Sequence, residues 1–111
     1  MIQKEKDKKT YHDFLIIVTE WNDAVSVADK TPRIGLSGPI SEMQKIRREA
    51  YEFKANECLM PVKAKLVSSM DMLVDFYITF MGNQIPNRIK AEQATDLIVE
   101  VSNDYASCLK E

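Results

Sequence analysis

Hydrophobic residues recur every three or four positions along most of the chain, the spacing that places them on one face of a helix. The strict alternation of a β-strand is not sustained anywhere. We therefore predict an amphipathic first helix from about residue 8 to about residue 29, after a flexible tail over residues 1–8. Its inward face is defined by two series with a spacing of seven: Tyr11, Val18 and Val25, and Phe14, Trp21 and Ala28.

A longer apolar series predicts a second helix from Pro39 to Met81, with Pro61 in its interior. A proline removes one backbone hydrogen bond and crowds the preceding turn, so we expect a kink there. The residues directly before Pro61 offer no capping side chain, which favours one long kinked helix over two helices. The series keeps a spacing of seven throughout: Ile46, Phe53, Met60, Val67, Val74 and Met81.

A third helix is predicted to start at Pro86, after a turn at Asn83 that follows Gly82. The predicted fold is all-α, a single bundle-like domain over residues 1–111. It consists of antiparallel helical hairpins on a long kinked central helix, with three long helices, or four if the chain breaks at Pro61. With one long helix, the two hairpins lie end to end and leave apolar stripes half covered. Homodimerisation would cover them.

The stretch from Thr31 to Ile40 joins the first two helices and contains two prolines and two glycines. Glycines beside a helix start, with Arg33, Ser37 and Gly38 close together, suggest a loop that binds an anionic ligand. Turn chemistry accounts for the same residues, because a proline ends one helix and another begins the next. We interpret the stretch mainly as a bend, whose end is covered by three apolar residues: Ile34, Leu36 and Ile40.

Both cysteines are predicted to lie at one height of the bundle. Antiparallel packing across the turn at Asn83 aligns residues whose numbers sum to about 167, which places Cys108 beside Cys58. The same argument across the first bend brings His12 to this level. Three interpretations stay open: two buried thiols beside an exposed histidine, a Cys58–Cys108 disulfide, or a metal site of His12, Cys58 and Cys108. Proximity of the two cysteine Cα atoms is common to all three.

Composition excludes several function classes. The net charge of −2 gives no overall attraction to nucleic acid. No apolar run approaches the roughly 18 residues of a transmembrane helix. One histidine without a positioned nucleophile indicates no enzyme, and no cofactor is expected. A complete chain would stay in the cytoplasm, whereas a trimmed mature form would lie outside it.

Several short segments carry a family resemblance: Trp21–Ala24, Thr31–Ile40, Ile46–Glu49, Cys58–Leu59 and Ser69–Met70. Together they resemble a group of small bacterial all-helical proteins, some of them secreted or lipid-anchored. The resemblance implies no activity, and it favours the disulfide.

The function expected from the sequence is therefore a helical interaction or structural module, homodimeric and binding another protein through its helical faces. The alternative is a small-ligand or metal binder. It would use either the level of His12, Cys58 and Cys108 or the bend between residues 31 and 40.

Overall fold

The computed structural model describes the backbone of residues 2–110 and the side chains from Lys8 onward. Within that range the protein is all-α and contains no strand, as the sequence predicts. The bundle is elongated, with extents of 53 × 24 × 20 Å. It consists of α1 (Ile2–Lys30), a single 3-10 turn (Arg33–Gly35), α2 (Ser37–Glu52), α3 (Met60–Met81) and α4 (Arg88–Leu109).

The inward face of α1 follows the predicted series of apolar residues. Phe14, Trp21 and Ala28 are almost completely buried, and Val18 lies with them in the core. The helix also includes residues 2–8, the segment expected to be a flexible tail, while Met1 lies outside the described residues. No helix in the described part of the chain is long and apolar enough to cross a membrane.

The segment between α2 and α3 differs from the predicted single helix. α2 ends at Glu52, and α3 begins at Met60, which puts Pro61 in the first turn. Prolines are tolerated there, because the first backbone N–H groups have no partner within the helix. Asn56 closes the turn that leads into α3: its side-chain oxygen accepts from the Leu59 N–H at 2.9 Å, and its carbonyl accepts from the Met60 N–H at 3.0 Å. The prediction of one kinked helix is therefore wrong, and the four-helix alternative is confirmed.

The chain reverses direction between α2 and α3. An ion pair joins Arg47 of α2 to Asp71 of α3. In the 3-10 turn just before α2, the Arg33 Nε donates to the Phe80 carbonyl near the end of α3, at 2.7 Å. α2 and α3 therefore lie side by side and antiparallel, and the expectation of two hairpins end to end is wrong. The half-covered stripes that motivated a dimer are partly covered by this packing.

α3 and α4 pack in the register that the sequence predicts. The buried Ser69 hydroxyl donates to the carbonyl of Ala94, itself fully buried, at 2.8 Å. Nearer the start of α3, the Lys65 side chain bonds to Asp104 at 2.7 Å and to Glu100 at 3.3 Å. The hydrogen bond to Asp104, with a smaller contribution from Glu100, raises the pKa of Lys65. The Ser69–Ala94 hydrogen bond and the two ion pairs of Lys65 thus join α3 to α4.

The turn between α3 and α4 depends on Asn83 rather than on the neighbouring Gly82. Asn83 has a φ of 65°, whereas Gly82 has a φ of −78°. The Gln84 N–H bonds back to the Thr79 carbonyl at 3.1 Å, as in the Schellman ending of a helix. α4 begins at Arg88, after the predicted Pro86, because the Asn87 side chain caps it.

Asn83→Ala should lower the free energy of unfolding by about 1 kcal/mol, because alanine pays a steric penalty in the left-handed region. Asn83→Gly should leave stability unchanged or raise it. Gly82→Ala is the matched control, since a Cβ there would meet its nearest atom at an ordinary 3.4 Å. Urea unfolding of the three variants measures the difference. Equal stability of Asn83→Ala and Asn83→Gly would show that the turn does not need this conformation.

Asn56→Ala should lower the free energy of unfolding by about 1 kcal/mol through loss of the cap. The control is Asn22→Ala, at an exposed position within α1, where alanine is the better helix former. The same urea titration applies. A loss in Asn22→Ala as large as that in Asn56→Ala would contradict the role of the cap.

Candidate functional site

A disulfide joins Cys58 to Cys108, with Cα atoms 5.9 Å apart. Cys58 lies in the turn that leads into α3, and Cys108 lies in the last turn of α4. The predicted proximity of the two cysteines is confirmed, and of the three interpretations left open the structure contains the disulfide. The bond closes the end of the α3–α4 hairpin opposite to the Asn83 turn.

An aromatic cluster beside the disulfide attaches α1 to α4. The rings of Phe14 and Tyr105 stack with centroids 5.9 Å apart, and Phe14 also contacts Phe53 at 5.5 Å. The Tyr105 hydroxyl donates to the Tyr11 carbonyl at 3.1 Å. Burial, and to a smaller extent the neighbouring Tyr11, raises the pKa of Tyr105. The cluster is explained by packing and does not include a reactive group.

The candidate metal ligands His12, Cys58 and Cys108 do not form a metal-binding arrangement. Both sulfur atoms belong to the disulfide, and the His12 side chain is exposed. In the part of the chain that the structure describes, no three His, Cys, Asp or Glu side chains are grouped to hold a metal ion.

Of the candidate ligand residues in the bend, Arg33 is engaged in contacts within the fold. The Arg33 guanidinium lies 4.3 Å from the centre of the Phe80 ring, in addition to its bond to the Phe80 carbonyl. Ser37 and Gly38 are exposed in the first turn of α2, and neither caps that helix through a side chain. The expected apolar cover is correct for Leu36 and Ile40, which are buried, and wrong for Ile34, which is exposed.

An apolar groove of about 680 Å³ lies between the end of α2 and the start of α3. Two large side chains stand at its edge: Tyr51 is 67% exposed and Met60 is 61% exposed. We call it the α2–α3 groove. It is lined by Tyr51, Glu52, Phe53, Lys54, Ala55, Met60, Lys63, Ala64 and Val67.

Lys63 fixes one wall of the α2–α3 groove. Its Nζ donates to the Phe53 carbonyl at 2.7 Å and lies 5.9 Å from the centre of the Tyr51 ring. The groove is not apparent from the sequence, because a continuous helix through residues 53–59 has no concave surface there. Asn56 is the signal that indicates the turn, since asparagine favours turns and helix starts.

No protein-family model, curated protein or solved structure matches this chain. The function is therefore argued from the geometry of the molecule itself.

Reduction of the Cys58–Cys108 bond should lower the free energy of unfolding by about 4 kcal/mol in the chain-entropy model, because the bond closes a long loop. Urea unfolding with and without a phosphine reductant measures the difference. A Cys58→Ser/Cys108→Ser variant is the control, since reductant should not change its stability. Two reactive thiols in denatured, unreduced protein would contradict the bond.

Proposed function

We propose that this protein is a helical interaction module that forms a homodimer through the α2–α3 groove and binds another protein through its remaining helical faces. The observation that carries the proposal is the exposure of Tyr51 and Met60 beside an apolar groove. Large apolar side chains grouped at a concave surface are typical of interaction sites. Scattered exposed apolar residues, by contrast, are ordinary.

A second copy of the chain suits the α2–α3 groove because the groove and exposed apolar side chains occur on one surface. Tyr51 and Met60 are both exposed and line the groove. In a two-fold symmetric dimer each copy inserts the same side chains into the groove of the other. The lining also carries both signs of charge, Glu52 against Lys54 and Lys63, so unlike charges can pair across the symmetry axis.

The α2–α3 groove is held in shape before any partner arrives. Asn56 caps the turn at its base, and the disulfide at Cys58 ties that turn to α4. The Lys63 bond to the Phe53 carbonyl fixes the extended segment that follows α2. A surface that is already ordered loses less conformational entropy on binding, which favours association.

Sedimentation at micromolar concentration should give about twice the chain mass of 12.7 kDa. Met60→Glu should give a monomer, because the charge would be buried in the interface. The substitution suits the start of α3, where an acidic side chain favours the helix dipole. Val99→Glu, at an exposed position on α4, is the matched control and should stay dimeric. A wild-type monomer at all concentrations would refute the homodimer.

A further inference from the structure

Two isoleucines stand free of the bundle at the end opposite the disulfide. Ile34 lies in the bend between α1 and α2 and is 97% exposed, and Ile85 follows the α3 turn and is 96% exposed. The Arg33 bond to the Phe80 carbonyl shows that both turns belong to the same end of the molecule. We call this surface the isoleucine end; it also includes the exposed Met81 and Ile89.

Neither isoleucine is needed to hold its turn. The bend is anchored by Leu36, which is completely buried, and the 3-10 turn is closed by backbone bonds from Gly35 and Leu36. The α3–α4 turn is closed by the Gln84 N–H bonding to Thr79. The fold therefore presents apolar side chains at two adjacent tips without using them in packing.

The turn segments of the isoleucine end carry only positive charges, although the whole chain has a net charge of −2. Residues 30–41 and 76–91 contain no Asp or Glu, and they contain Lys30, Arg33, Arg88 and Lys90.

Four acidic residues border these segments: Asp29, Glu42, Asp75 and Glu92. Asp29 accepts a hydrogen bond from the Tyr77 hydroxyl, and Asp75 lies 3.9 Å from Lys90. Lys30, Arg33 and Arg88 form no ion pair within the described part of the chain. The charges of these three side chains are therefore not neutralised by an ion pair, although the Arg33 Nε bonds to the Phe80 carbonyl.

We propose that the isoleucine end docks on an anionic lipid bilayer, with Ile34 and Ile85 inserted below the headgroups and Lys30, Arg33 and Arg88 facing the lipid phosphates. Apolar insertion combined with cationic attraction is how proteins bind a bilayer surface without crossing it. A protein partner would need two matched pockets for these separate tips. A bilayer accepts protruding apolar side chains of any shape, and the positive charge complements its anionic lipids.

This docking is independent of the proposed homodimer. The α2–α3 groove lies at the disulfide end, because Met60 is next to the Cys58 turn, whereas the isoleucine end holds the other two turns. The two surfaces can therefore be occupied together. Met60→Glu should bind vesicles as the wild type does, so failure of one proposal leaves the other standing.

Cosedimentation with vesicles tests the docking. The oxidised protein should bind phosphatidylcholine vesicles that contain phosphatidylglycerol and should not bind vesicles of phosphatidylcholine alone. Lys30→Gln/Arg88→Gln should weaken binding by about fivefold for each charge removed. Ile34→Ser/Ile85→Ser should weaken it by roughly tenfold or more, because the inserted apolar area is lost. Val99→Ser/Leu109→Ser, also exposed but outside this end, is the matched control and should bind like the wild type.

Two results would overturn the proposal. One is absence of binding to anionic vesicles. The other is equal binding by Ile34→Ser/Ile85→Ser and the wild type, which would assign the charges to a soluble polyanion or an acidic protein. All four positions of the serine variants are exposed, so the variants should keep the helical content and unfolding midpoint of the wild type.

Discussion

The reversal of the chain between Glu52 and Met60 is the constraint on which the rest of the structure depends. In one continuous helix, Arg33 and Phe80 would lie roughly 70 Å apart at 1.5 Å per residue. In the folded protein the Arg33 side chain bonds to the Phe80 carbonyl. The reversal brings α3 beside α2, forms the α2–α3 groove, and places both other turns at one end. A single side chain, Asn56, provides the local cap that lets the chain turn there.

Polar bonds join α1 to the other helices at two levels of the bundle. At the disulfide end, the Tyr105 hydroxyl and the stacked ring of Phe14 join it to α4. At the isoleucine end, Asp29 accepts a hydrogen bond from Tyr77 of α3. Between these points Trp21 is fully buried, with its Nε1 lacking a hydrogen-bond partner among the described residues. Between its two polar attachments, α1 therefore depends on apolar packing.

The sequence predicted the features that depend on local periodicity. The apolar face of α1 and the proximity of Cys58 to Cys108 follow from helical rise and spacing alone. The break after α2 was missed because Phe53 and Met60 continue the seven-residue spacing although one lies in the turn and the other is exposed. Periodicity records which side chains are apolar and does not record where the backbone stops being helical. The α2–α3 groove could not be predicted, since it exists only once the two helices lie side by side.

Periodicity also does not predict which apolar residues of a turn are buried. Ile34 and Leu36 are similar in size and apolarity, yet one is exposed and the other is completely buried. The 3-10 turn between them rotates successive side chains by about a third of a circle, so only one of the pair faces the core. Arg33 holds the bend against α3 through its contacts with Phe80. The backbone bonds of the turn keep Leu36 in the core and Ile34 outside it. The turn is stable although it presents an exposed apolar side chain, because Leu36 packs in the core while Ile34 forms the tip.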